Sequence, residues 1–308
     1  MSKVLIAIDR SKSYRVYLTV TTDLVDRAAK IHDTTPLAAA GLGRVLTAAG
    51  LMGLMMKNEE DKLTVNFKGD GPAQQILATA YGTGKVKGYI VNPQVDLPLK
   101  ENGKLDVGGS LGIGELTVIK DLGLKEPYIG TIALVTGDIA ADLTAYFFIS
   151  EQQNTSVALG VKVEKDLSIG AAGGMIIQML PGAQEGAIDA LEQMIASMSP
   201  LTTIISDVQE SSRIESESGL LQNLLSEIFK GLPEESAEEY MPEALEEREI
   251  YWECDCHKEK LERALMTIGR DALTEIIEED GQAELQCQFC LKKYHFTKEE
   301  LERIRDEA

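Results

Sequence analysis

The sequence predicts an α+β protein in three parts: a large N-terminal sheet-and-helix core domain over residues 1–180, an amphipathic helical linker over 181–232, and a small C-terminal domain over 233–308. Three observations predict it. Strand-like and helix-like periodicities alternate through the first part. Two amphipathic segments follow, with a break at Ser199-Pro200 between them. Charge then becomes lopsided. From Asp207 onward there are 28 acidic and 12 basic residues, a net of −16 within a chain of 308 residues whose total is −20, and all four cysteines lie there.

KVLIAIDR and YRVYLTV read as opening strands, since Val4, Ile6 and Ile8 alternate with Leu5 and Ala7. DLVDRAAKIHDTTPLAAAGLGRVLTAAGLMGLMM reads as helices around a break at Pro36. KLTVNFKGDGPAQQILATAYGTGKVKGYIVNP reads as strand, glycine turn, helix or strand, glycine turn, strand, and GELTVIKDLGLKEPYIGTIALV supplies two further strands. DIAADLTAYFFISEQQ sets Ile139, Leu143, Tyr146 and Phe147 at helical spacing, after which TSVALGVKVEKDLSIGAAGGMIIQML returns to strand patterns. In the linker, Ile188, Leu191, Met194, Ile195 and Met198 share one helix face, and Leu221, Leu224, Leu225 and Ile228 another, around the polar run QESSRIESES. Such faces need a partner surface.

The acidity argues against a nucleic-acid binder, because phosphate contacts require clustered Lys and Arg. The apolar run at residues 4–8 is too short for a secretory signal. Residues 36–56 carry only Arg44 as a charge, yet their Ala and Gly content predicts a buried core helix, with Met52, Met55 and Met56 in its packing, and no membrane span. A soluble cytoplasmic protein with reduced thiols is expected. Gly41 with Gly43, and Gly108, Gly109, Gly112 and Gly114, precede no Gly-Lys-Ser/Thr, so they predict turns or close packing instead of a phosphate loop. His32 stands alone and reads as structural.

The chemistry concentrates in Cys254, Cys256, Cys287 and Cys290, a C-x-C pair, a 30-residue gap and a C-x-x-C pair. Two close thiol pairs around a short helical insert suit one tetrahedral four-thiolate zinc ion. His257 and His295 lie nearby, but four thiols already complete the tetrahedron, so both are expected at the surface or supporting the ligands. In the insert, Leu261, Leu265 and Ile268 form one stripe and Leu273, Ile276 and Ile277 another. AELQCQFCLKKYHF reads as strand, metal knuckle, strand, closed by a capping-box start at Thr297-Lys298-Glu299-Glu300. Tyr251 and Trp252, just before the first thiol, are expected to pack the zinc module.

Spacing alone supports a permanent zinc staple. It also supports a switch: a disulfide across C-x-C is strained and easily reduced, and neighbour pairing (Cys254–Cys256 with Cys287–Cys290) is favoured among three connectivities. A thiol–disulfide oxidoreductase using Cys287-Gln-Phe-Cys290 is a further reading, although that motif does not open a helix after a strand. A constitutive zinc-stapled adaptor is another.

The cysteine pattern with QCQFCLKKYHF resembles the 33 kDa chaperonin family, the bacterial redox-regulated heat-shock holdases. LAAAGLGRVLTAAGLMG, GYIVNP, GELTVIKDLG, DLTAYFFISEQ and AAGGMIIQMLPGA resemble its core segments, so the likeness spans essentially the whole chain. The resemblance implies a chaperone that is not an enzyme and uses no ATP. It implies that the reduced protein holds one zinc ion through Cys254, Cys256, Cys287 and Cys290 and is inactive or weakly active. Oxidation then forms Cys254–Cys256 and Cys287–Cys290, releases zinc and unfolds the C-terminal region. Apolar surface appears, the protein tends to form a homodimer, and it holds unfolded clients. Neither the sequence nor the resemblance locates the client surface.

Overall fold

A computed structural model of the chain describes residues 2–215 and 219–308; the last part of QESSRIESES falls outside the described residues. The chain divides into two compact units, Met1–Trp252 and Glu253–Ala308.

In the first unit β1 (Ser2–Asp9) and β2 (Tyr14–Val20) form a hairpin, followed by α1 (Thr22–His32) and α2 (Pro36–Leu54). Then come β3 (Lys62–Gly69), β4 (Gln75–Tyr81), β5 (Lys85–Ile90), α3 (Val107–Leu111), β6 (Gly114–Asp121), β7 (Tyr128–Ala133), α4 (Ile139–Ile149), β8 (Thr155–Val163) and β9 (Ile169–Met179). Four helices, α5 (Glu185–Ser197), α6 (Leu201–Glu215), α7 (Leu220–Phe229) and α8 (Glu234–Tyr240), lead into β10 (Pro242–Trp252). The ten strands form one sheet in the order β7-β6-β3-β4-β5-β10-β1-β2-β9-β8. Every pairing is antiparallel except β10 with β5, a short parallel join of Tyr251 with Lys85 and Trp252 with Val86. The segment left as helix or strand from sequence is β4, paired on both sides.

Alternation along β1 and β2 decides what lies on each side of the sheet. Val4, Ile6 and Tyr17 face the core built around α2. Leu5, Ala7, Val16 and Leu18 face the opposite way and pack with Leu191, Met194, Leu224 and Phe229 of the linker helices. The linker's apolar faces therefore lie on the back of the sheet. Residues 36–56 resolve into α2, which begins with Thr35 accepting from the Ala38 N–H at 3.2 Å and with Pro36 in the first turn. It is long and apolar enough to cross a membrane, but 94% of its apolar window is buried in the fold. Its glycines permit close packing: a Cβ on Gly43 would stand 2.5 Å from Val25 Cγ1. Met52 is buried, and Met55 and Met56 pack at the edge of the same core.

Three differences from the sequence reading have physical causes. The linker contains α6, whose Leu201, Ile204, Ile205 and Val208 are buried at helical spacing; Ser199-Pro200 starts this helix. Residues 233–252, placed by charge in the C-terminal domain, belong to the first unit, because β10 pairs along its length with β1 despite four exposed glutamates. Trp252, expected in the cysteine module, belongs to the first unit and is buried in the main core, edge-on to His32 at 6.2 Å between ring centroids. His32 is buried there, with Nε2 3.2 Å from the Gly88 carbonyl.

The second unit contains α9 (Lys258–Met266), α10 (Arg270–Glu279), β11 (Gln282–Gln286), β12 (Lys293–Thr297) and α11 (Lys298–Glu307). Leu265, Leu273 and Ile277 pack with Phe296, Leu301 and Ile304. The predicted capping box at Thr297 and Glu300 is present in both directions. Ile268, assigned to the first stripe, sits in the turn after α9 and is exposed, because the helix ends before reaching it.

Candidate metal centre

The knuckle between β11 and β12 is set by the backbone. The Cys287 N–H donates to the Lys292 carbonyl at 3.0 Å, and the Leu291 N–H donates to the Cys287 carbonyl at 2.8 Å, with Leu291 at φ 58°. This tight loop brings Cys287 and Cys290 to one point. Cys254 and Cys256 reach the same point from the irregular segment before α9. All four Sγ atoms lie within 4.8 Å of one another. Two close contacts cross between the motifs: Cys254 to Cys287 at 3.7 Å and Cys256 to Cys290 at 3.3 Å. Tetrahedral zinc with bonds of about 2.3 Å to sulfur requires sulfurs roughly 3.8 Å apart, so the cage is of the right size. The donor set is four sulfurs, which suits zinc and other thiophilic ions over magnesium or calcium.

The two histidines stay outside it. His257 Nδ1 is 3.0 Å from the Asp255 carbonyl, and His295 is 74% exposed beside Glu284 at 3.1 Å. Lys260 pairs with Asp255 at 3.0 Å. Cys287 is buried and the other three cysteines are half-buried. Burial raises the Cys254 thiol, and hydrogen bonding among the thiols raises it further. At Cys256 burial also pushes upward, but hydrogen bonds from Tyr294 and the neighbouring thiols outweigh it and bring the thiol down to about 7.

Tyr294 is the residue that sequence reasoning missed. Its hydroxyl lies 2.9 Å from the Cys256 carbonyl and 3.2 Å from Cys256 Sγ. The available signal was the alternation of Tyr294 with Phe296, which puts both side chains inward from β12, where a buried hydroxyl needs a partner. The C-x-x-C motif lies in a strand-to-strand knuckle and not at the start of a helix, unlike the arrangement that activates an oxidoreductase cysteine.

A family model described as "Hsp33 protein" matches residues 2–297. The chain is 46% identical to the 33 kDa chaperonin of Alkaliphilus oremlandii over 96% of its own length and 94% of that protein's. It is 46% identical to the 33 kDa chaperonin of Clostridium perfringens strain ATCC 13124, covering 99% of this chain and 91% of the relative. The crystal structure of the Thermotoga maritima 33 kDa chaperonin (heat shock protein 33 homolog) superposes with a TM-score of 0.83 at 30% identity, covering 99% of this chain and 98% of the other. With a family model and relatives matched almost end to end, this chain belongs to the Hsp33 family of 33 kDa chaperonins, which are chaperones and not enzymes.

Proposed function

We propose that this chain is a redox-regulated, ATP-independent holdase for unfolded proteins, switched by Cys254, Cys256, Cys287 and Cys290. The observation that carries this reading is the convergence of every cysteine of the chain on one site, in a unit whose apolar core is small. In the reduced state the four thiolates would hold one zinc ion, which when bound supplies folding free energy on the order of 10–16 kcal/mol to such modules.

Oxidation removes the charged sulfurs that make the cage. For each pair, two thiols lose two electrons and two protons, an S–S bond forms, and one peroxide molecule is reduced to two waters. Two close sulfur contacts cross the motifs, but they belong to the intact cage. As the unit loosens, the one- and two-residue spacings keep neighbours near each other and favour Cys254–Cys256 and Cys287–Cys290. The second unit then loses structure, and the linker helices follow. Their departure uncovers Leu5, Val16, Leu18, Met175 and Ile177 on the sheet along with the helices' own apolar faces. That combined surface takes up unfolded clients. A net charge of −20 keeps the complexes dispersed. A second copy joining through the uncovered surface gives a homodimer in the oxidised state, and reduced thiols at rest fit the cytoplasm.

The test treats the zinc-loaded protein with peroxide at elevated temperature, following zinc release and suppression of client aggregation together. Parallel change is expected. Equal protection by the zinc-loaded parent kept fully reduced identifies a constitutive binder instead.

A further inference from the structure

We infer that Tyr294 is a positioning residue that restrains Cys256 against oxidants and so sets the threshold at which the thiolate cage opens. The inference rests on the redox reading above and adds a residue outside the four ligands.

Tyr294 is only 8% exposed and belongs to the core that includes Phe296, Leu265 and Leu273. Lys292 Nζ stands 5.1 Å from its ring centroid. The ring is thus held, and its hydroxyl is aimed at Cys256 alone among the four cysteines, at 2.9 Å from the carbonyl and 3.2 Å from Sγ. One hydroxyl proton has two acceptors. A metal-bound sulfur carries negative charge and is the stronger acceptor, so the proton favours Sγ in the closed cage. A hydrogen bond into a thiolate draws charge off the sulfur and blunts its attack on an electrophile.

That attack is the first step of oxidation. The sulfur lone pair forms an S–O bond to one peroxide oxygen, the O–O bond breaks, and the departing hydroxide takes a proton to leave as water. A second thiolate then attacks the oxidised sulfur and displaces its oxygen as hydroxide, which leaves as water and completes the disulfide. In the closed cage the hydroxyl therefore holds back the one sulfur it reaches, and this restraint ends when the unit opens.

The test compares zinc-loaded full-length protein with the Tyr294→Phe variant. Peroxide is added, zinc release is followed with a chromogenic chelator, and residual thiols are counted site by site by alkylation and mass spectrometry. The variant is expected to lose the Cys256 thiol and release zinc about three- to tenfold faster, the range that a lost charge-assisted hydrogen bond gives through the dependence of rate on thiolate basicity. Phe296→Leu loosens the same core without touching sulfur, and it is expected to leave the relative order of thiol loss unchanged. Equal rates in the parent and Tyr294→Phe overturn the inference while leaving the redox reading intact. So does acceleration spread evenly over all four thiols. A parent protein that keeps zinc after full oxidation overturns the redox reading itself.

Discussion

Phe229→Ala tests how the linker is held. Phe229 is fully buried at the end of α7 and stacks on Tyr14 of β2, with ring centroids 6.1 Å apart and planes 11° from parallel. Truncating a buried Phe costs about 3–5 kcal/mol, the lost stacking included. α7 spans ten residues, too few to persist alone in water, so its docking on the sheet is what keeps it helical. If the loss falls on that docking, the released arrangement gains roughly a hundredfold to several thousandfold in population. The assay is suppression of client aggregation with dithiothreitol present, alongside hydrogen exchange over residues 220–229. Protection of clients without any oxidant is expected. Exchange that shows α7 released while the client aggregates as it does with the parent would refute the assignment of the linker-covered face as the client surface.

Other expectations follow from separate parts of the molecule. Stripping metal from the reduced protein with a strong chelator should melt residues 253–308 and leave the ten-stranded sheet folded, read by hydrogen exchange in the two units. Thr297→Ala removes half of the α11 capping box and should lower the stability of the metal-loaded second unit by about 0.5–2 kcal/mol in a denaturant titration. Glu247 accepts from Lys3 at 2.9 Å and Gln222 at 2.7 Å, tying β10 to β1 and α7, and these bonds hold its carboxyl below the usual range. A depressed folded-state value means stability present above the unfolded carboxylate range and lost as pH falls through the folded one. The urea-midpoint gap between the parent and Glu247→Gln should therefore be largest near neutrality and close on acidification.

Strands and helices with strong periodicity were legible in the sequence. The β1–β2 hairpin, the Pro36 start of α2 and the buried stripe of α7 follow from local pattern. The cysteine spacing was enough to bring four sulfurs together on paper, because a knuckle and a C-x-C segment have few ways to present a tetrahedron. β10 was not legible. Its Glu243, Glu246, Glu247 and Glu249 read as a solvated acidic run, whereas only Ile250 and Trp252 carry its burial in the main core, and its place in the sheet comes from backbone pairing with β1. Side-chain pattern reports little of such pairing. Trp252 was misassigned for the same reason, since nearness in sequence to Cys254 says nothing about which core accepts the ring. Tyr294 escaped notice because its importance lies in one hydroxyl direction, and this is a property of the folded strand.

The linker helices are fastened at both ends into the same sheet, by β9 before them and by β10 after them. Under the proposed switch, once detached they would form a closed loop of some sixty residues and never a dangling tail, so a bound client would be held by a flap that stays close to its own seat. Loop closure of that length is entropically mild. Restoring the thiols would let the flap compete with its cargo at high local concentration, and handing over a client becomes a matter of displacement in place.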